Sequence, residues 1–235
     1  MIKQFARFAQ QYNTYNVIQA EVAQTLVDKI SEKHYKYIID IGCGSGEVYK
    51  NIEKNKIKFD TFIALDSSLE MLELHPVCSS IEKISADFNT IETFRQLDVL
   101  EDETLLLSSS ALQWSKNLDF VFAQLSKKSS EAYFAIFTAN TFKTLHETAQ
   151  IHSPIYTEDT LREIIMKYYD ASFELQEYRL EFKTVRDMFK YIKKSGVSGG
   201  EKKLSYRQTK QLMDVYPLNY LEFEVLFVKA TPLTY

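Results

Sequence analysis

Apolar and polar positions change period repeatedly along this chain, and each change marks an element. Val22, Leu26 and Ile30 recur at helical spacing and predict a first helix over 17–30. A short apolar strand is predicted at 37–41, followed by a helix reaching about 52. A second strand at 61–65 ends at Asp66, and Ser67 with Glu70 then has the spacing of a capping box. A third strand, 81–86, ends at Asp87, and a fourth, 105–107, opens into Ser108-Ser109-Ser110-Ala111-Leu112-Gln113-Trp114. A helix near 118–125 leads to a fifth strand at 133–137. Repeated βα units with short, wholly apolar strands imply a parallel sheet covered on both faces, and right-handed crossovers make it doubly wound.

The second half follows a different rhythm. A helical segment at 142–151 is broken by Pro154, and Thr157 caps a further helix with Glu158 and Asp159 in its first turn. An alternating strand follows near 173–182, then two helices separated by Gly196-Val197-Ser198-Gly199-Gly200, then a long strand at 221–229. The expectation is one α/β domain over 1–235 with a seven-stranded, mostly parallel sheet. It opens with a helical segment, 1–34, and carries helical lid insertions at about 140–156 and 184–217 over the ligand side.

Length and composition agree with this picture. The chain has 235 residues, 45% hydrophobic and 26% charged, which suits one globular α/β domain. No stretch approaches the ~20 apolar residues of a membrane span, and the first residues lack a signal-peptide core. Cys43 and Cys78 are too few for a disulfide framework, and the scattered His residues do not make a metal site. The chain reads as cytoplasmic, with no metal and no membrane partner. The net charge of −4 argues against nucleic acid, but it hides an asymmetry. Between Arg179 and Lys210 ten Lys or Arg face three acids, a surplus of seven, so the remainder carries −11. A basic surface on an acidic protein suggests an acidic partner; a merely solvated helix face is the plainer alternative.

The candidate chemistry lies at the strand ends, because ligands of open α/β sheets bind outside the carboxyl ends of the strands. The run Ile38-Ile39-Asp40-Ile41-Gly42-Cys43-Gly44-Ser45-Gly46-Glu47 is a strand, a glycine loop and a helix start. The dinucleotide fingerprint is G-x-G-x-x-G, whereas this loop is G-x-G-x-G, with the third glycine misplaced for a pyrophosphate. Asp66 can accept both hydroxyls of a ribose and would repel a 2′-phosphate. Asp87 can take the amino group of adenine while Phe88 stacks on the base. Both acids could instead serve only as caps for the helices that follow.

The glycine spacing resembles motif I of class I S-adenosylmethionine-dependent methyltransferases. Further runs sharpen that resemblance. Phe5-Ala6-Arg7-Phe8-Ala9 with Tyr12-Asn13 and Gln19 is similar to the opening of malonyl-acyl-carrier-protein O-methyltransferases of biotin synthesis. So are Ala111-Leu112-Gln113-Trp114, the lysine-rich run from Phe189 through Lys193 and Lys194 to Gly200, and Tyr216-Pro217-Leu218-Asn219-Tyr220. The Ala-Leu-Gln-Trp block is shared with trans-aconitate methyltransferases; the lysine-rich helix and the Tyr-Pro-Leu-Asn-Tyr end discriminate. Two positions depart from the pattern. Lys128-Ser129-Ser130-Glu131 stands where relatives have a Pro-Gly-Gly turn, and Ser109 stands where they often have Asn.

The resemblance implies a Rossmann-like fold and S-adenosylmethionine as cofactor, leaving as S-adenosylhomocysteine. It implies Asp40, Gly42, Cys43, Gly44, Gly46, Asp66, Ser67, Met71, Asp87, Phe88, Ser109 and Ser110 as cofactor contacts. It implies as partner an acyl carrier protein bearing a malonyl group, whose carboxylate is methylated early in making the pimeloyl part of biotin. A carboxylate is already an anion at neutral pH, so no acid–base residue is expected. Tyr12 and Gln113 are expected to orient the substrate as neutral donors, and Trp114 to wall the pocket. Asn140, Lys143 and His146 are expected on the lid side, His146 as a packing or lid residue. On a helix from 185 to 194, Val185, Met188, Phe189 and Ile192 make an inward stripe. Arg186, Lys190, Lys193 and Lys194 make an outward one that suits an acidic carrier protein. Two other readings stand beside this one. The first is methylation of a small free carboxylic acid, as by trans-aconitate methyltransferases. The second is a non-catalytic subunit with a cofactor fold, whose signature would be decay of the glycine loop, Asp66 and Asp87.

Overall fold

A computed structural model describes residues 16–99, 101–195 and 205–234, with only the backbone considered at 193–195 and 206. The wholly apolar strand runs are explained by burial on both sides. In strand β1 (His34–Ile41), Ile38 packs into one core, whereas Ile39 and Ile41 pack into the other. In β4 (Thr104–Ser109), Leu105 and Leu107 face the first core and Leu106 the second. Such alternation between two apolar layers is what a helix-covered parallel sheet demands.

The remaining strands are β2 (Lys58–Asp66), β3 (Ile81–Ser85), β5 (Glu131–Phe137), β6 (Tyr169–Glu181) and β7 (Tyr220–Pro232). Their order is β3-β2-β1-β4-β5-β7-β6. The first five are parallel, while β7 runs antiparallel between β5 and β6. The doubly wound, mostly parallel seven-stranded sheet expected from the periodicity is therefore present.

On one side, helices α1 (Val17–Asp28) and α2 (Glu47–Lys54) bury Val22, Leu26, Val48 and Ile52 against the sheet. The other side holds α4 (Ile91–Gln96), α5 (Leu118–Leu125) and α7 (Glu158–Met166), which supply Phe94, Val121, Phe122, Leu161 and Ile165. Short α3 (Leu69–Leu74) follows β2, and α6 (Lys143–Ala149) follows β5. Helices α8 (Val185–Ser195) and α9 (Tyr206–Val215) lie between β6 and β7 in the chain.

One local expectation needs correction, and one helix was not expected. The cap of α3 is Ser68, one residue beyond Ser67: its Oγ accepts the Met71 amide at 3.3 Å and donates to Glu70 at 2.9 Å. Helix α4 stands between β3 and β4 where no helix was expected; its local signals are Thr90 before it, Glu92 in its first turn and Arg95 in its last.

Candidate functional site

Asp40 and Asp66 stand on the same face of the sheet, near the ends of β1 and β2, where Asp40 is paired in register with Ala64. Asp40 is fully buried and neither carboxylate oxygen has a hydrogen-bond partner. Burial pushes its pKa well above the ordinary carboxylate range, and the charge of Asp66 adds to the rise. Asp66 is half-buried. Burial raises its pKa, against the opposing pull of backbone N–H groups of Ser68, Gly44 and Ser67. Gly44 N donates to Asp66 Oδ2 at 2.9 Å and Ser68 N donates to Oδ1 at 2.8 Å. Asp66 thus ties the glycine loop to the start of α3. A carboxylate offers about four lone-pair sites, so capacity for ribose hydroxyls remains.

Gly42 is required by space as well as by dihedral angle, and Gly44 by dihedral angle. Gly42 has φ +74°, and a Cβ there would lie 2.3 Å from the Cβ of Ala111. Gly44 has φ +52°, and its Cβ would lie 3.4 Å from Met71 Cε. Gly42 and Cys43 both donate their N–H to Leu65 O, at 2.7 and 3.0 Å. These bonds draw the loop across the end of β2, so the glycine loop, Met71, Asp66 and the Ala111 turn form one cluster. Cys43 is buried, and that burial pushes its thiol well up, so it contributes shape and a backbone N–H rather than a thiolate.

Asp87 accepts the backbone and side-chain N–H groups of Asn89 through Oδ1, at 2.9 and 2.7 Å. Its Oδ2 lies 3.7 Å from Lys116 Nζ. Phe88 is half-buried against the second core. At the end of β4, Ser110 holds φ +61° and donates its N–H to Ala135 O at 2.9 Å, while Ser109 Oγ lies 3.5 Å from Ser110 Oγ. A non-glycine residue in left-handed backbone at a strand end is a strain that clusters at functional sites.

Gln113 is buried; its Nε2 donates to Ser110 O at 2.7 Å, and Oε1 has no partner. Since a carbonyl only accepts, the amide nitrogen must face Ser110, which turns the oxygen away from it. Gln113 therefore presents chiefly an acceptor, where a donor was expected. Trp114 is half-buried beside it. Lys143 is exposed on α6, and His146 is half-buried with its ring 6.5 Å from that of Phe142. Tyr12 lies outside the described residues, so the structure does not bring it to this cluster.

Two residues absent from the sequence reading stand at this edge. Glu224 on β7 is buried and accepts from Thr138 Oγ1 and from Asn140 Nδ2, the latter at 3.0 and 3.1 Å to its two oxygens. Glu222 accepts Thr144 Oγ1 at 2.6 Å and the Thr144 amide at 3.2 Å. No periodicity announces either acid, because their partners lie some eighty residues earlier.

On α8, Met188 is buried and Phe189 and Ile192 pack on the first core, as the inward stripe predicted. Thr184 Oγ1 accepts the Asp187 amide at 3.1 Å. Arg186 and Lys190 are exposed, and Lys190 pairs with Asp187 at 3.0 Å. The side chains of Lys193 and Lys194 lie outside the described residues. Among the described residues no cluster of His, Cys, Asp and Glu could hold a metal, and no helix is long and apolar enough to cross a membrane.

No family model matches the chain. Curated relatives do. The chain is 27% identical to the malonyl-[acyl-carrier protein] O-methyltransferase of Priestia megaterium, with 93% of this chain and 89% of that protein covered. It is 26% identical to the enzyme of the same name from Acetivibrio thermocellus, covering 90% and 83%. Among solved structures, Bacillus subtilis YcgJ matches with TM-score 0.65 at 9% identity, covering 91% and 99%. A putative methyltransferase from Bacillus halodurans matches with TM-score 0.60 at 13% identity, covering 91% and 100%. This chain is a methyltransferase of the class I fold. In this methyltransferase the five parallel strands carry the glycine loop and the acids, and antiparallel β7 brings its own acids to the same edge. A Haemonchus contortus phosphoethanolamine N-methyltransferase, also of this fold, was solved with S-adenosylmethionine (TM-score 0.54, 13% identity, covering 92% and 52%).

Proposed function

We propose that this methyltransferase uses S-adenosylmethionine to methylate the free carboxylate of a malonyl thioester on acyl carrier protein, in the cytoplasm, as an early step of biotin synthesis. The observation that carries the reading is similarity to malonyl-[acyl-carrier protein] O-methyltransferases over nearly the whole chain, including the part that holds α8.

The residues fit the cofactor. Gly42 and Gly44 hold the left-handed backbone that carries the loop across the end of β2, and Asp66 keeps acceptor capacity for a ribose. Asp40 is a buried carboxyl without a partner, suited to a ligand that brings positive charge. Ser67, Met71, Asp87, Phe88, Ser109 and Ser110 would line the same ligand. When bound, the cofactor supplies an electrophilic methyl on a sulfonium. The substrate carboxylate needs no deprotonation, so the protein's task is alignment and exclusion of water. Trp114 would wall the pocket, Tyr12 would orient the carboxylate as a neutral donor, and Asn140, Lys143 and His146 would stand on the lid side.

The exposed Arg186 and Lys190, with Lys193 and Lys194 on the same helix, supply a basic stripe for an acidic carrier protein. Pairing with Asp187 partly offsets Lys190, so Arg186, Lys193 and Lys194 carry more of the attraction.

The test is methyl transfer from labelled S-adenosylmethionine to malonyl-carrier protein, malonyl-coenzyme A and aconitate. The carrier substrate should have the highest kcat/KM; preference for aconitate would replace this reading with the small-acid one. Reversing Lys190, Lys193 and Lys194 to Glu should raise KM for the carrier substrate at least ten-fold and leave cofactor affinity unchanged. An unchanged KM would make the stripe a solvated face.

A further inference from the structure

Strand β7 runs antiparallel to β5, so its first residues lie beside the carboxyl ends of the parallel strands, where the ligand edge is. The pairing of β5 with β7 ends at Phe137 and Val225. Glu224 comes next, opposite the turn that leaves β5. It lies on the same sheet face as Leu226, Val228 and Ala230, all core residues. A carboxylate in such a place is disfavoured unless its oxygens are bonded.

Its bonds all go to one turn. Thr138 Oγ1 and Asn140 Nδ2 donate to the carboxylate. Thr138 N donates to Glu224 O at 3.0 Å, and Thr141 Oγ1 donates to the same oxygen at 3.2 Å. The side-chain partners are neutral, so no cation explains why an acid stands here. Closing the turn would need only an amide. What a carboxylate adds is direction: it can only accept, so it fixes the Asn140 amide with nitrogen inward and Oδ1 outward. Asn140 itself is exposed at the end of β5.

We infer that Glu224 is a positioning residue that turns Asn140 Oδ1 toward the ligand edge, to accept a hydrogen bond from an amide N–H of the arm that carries the thioester. This rests on the proposed malonyl-thioester substrate. An amide oxygen would repel the carboxylate being methylated, whereas a pantetheine-type arm offers amide N–H donors next to the thioester.

The experiment compares Glu224→Gln and Asn140→Leu with wild type on two substrates: malonyl-N-acetylcysteamine, which has one amide, and malonyl ethyl thioester, which has none. Both variants should raise KM for the amide substrate about three- to ten-fold, the worth of one neutral hydrogen bond, with kcat within about two-fold. KM for the ethyl thioester should not move, and calorimetric affinity for S-adenosylmethionine should match wild type. The amide thioester's advantage in wild type should thus vanish in both variants. An equal rise in KM for both thioesters, or no rise for either, overturns the inference and leaves Glu224 as a structural clamp. If wild-type protein methylates neither malonyl thioester, the proposed substrate class itself fails, and that result is read before any variant.

Discussion

The two halves of the ligand edge are built in different ways. On the cofactor side, two successive strand ends make the site: Gly44 and Ser68 both bond to Asp66, and Gly42 bonds to Leu65 O beside it. On the other side, the turn after β5 is held by Glu222 and Glu224, which arrive on the last strand of the sheet. The first half is rigid through steric fit, because any side chain at Gly42 collides with Ala111. The second is held by polar bonds together with Phe142, which is buried with its ring 4.9 Å from that of Phe223. A locally made site can be damaged by one added methyl group, and a remotely made one by removing one carboxylate.

The largest effect should come from Gly42→Ala. Its Cβ would stand 2.3 Å from another carbon, in a backbone conformation that L residues avoid. We expect a stability loss of about 2–4 kcal/mol by thermal unfolding and loss of measurable cofactor binding. A variant that melts and binds as wild type would end the steric account of this half. Asp66→Ala should follow, since it strands two backbone N–H groups and removes a ligand acceptor. A weakening of S-adenosylmethionine binding by about 1–3 kcal/mol in calorimetry is expected, and an unchanged affinity would take Asp66 out of the site.

Asp40 sharpens the comparison through pH. Its raised pKa means that the folded protein holds a proton that the unfolded chain releases. Stability therefore falls as pH rises from the ordinary carboxylate range, near about pH 4, toward the raised value, by at most about 1.4 kcal/mol per pH unit. Asp40→Asn should remove that dependence. Affinity for the positively charged cofactor should rise over the same window in wild type and stay flat in the variant. Parallel stability curves for the two proteins would show that Asp40 does not titrate there.

Glu222→Ala should give the smallest effect. Helix α6 starts at Phe142, in left-handed backbone and without a side-chain cap of its own, and Glu222 bonds the Thr144 amide in its place. Losing that cap should cost about 1 kcal/mol and leave cofactor affinity unchanged. A drop in cofactor affinity would mean that the two halves are not separable.

The sequence made one half legible for a physical reason. Alternating glycines, acids at strand ends and the period of the strands are local signals, and the structure places Asp40 beside Asp66 and bonds Gly44 to Asp66. The seven strands and most helices were legible on the same ground. The capping residue was misread by one position, because Ser67 and Ser68 are adjacent and only backbone dihedrals choose between them. Glu222 and Glu224 were invisible: in a strand reading they are the polar half of an alternation, and only the antiparallel placement of β7 turns them toward the 138–144 turn. The orientation of the Gln113 amide was equally hidden, since a side chain's donor and acceptor ends are sorted only by what lies beside it.

The position of β7 also sets a timetable for synthesis. Strands β1 to β5 can pair as they leave the ribosome, so the glycine loop and Asp66 can meet early. The turn after β5 must wait, because Glu224 reaches Thr138 across 86 residues of chain. A nascent chain halted after β6 would own a cofactor cradle with no partner for the turn beside it. The final strand, pairing with β5 on one side and β6 on the other, both joins the edge strand to the sheet and completes the acceptor side.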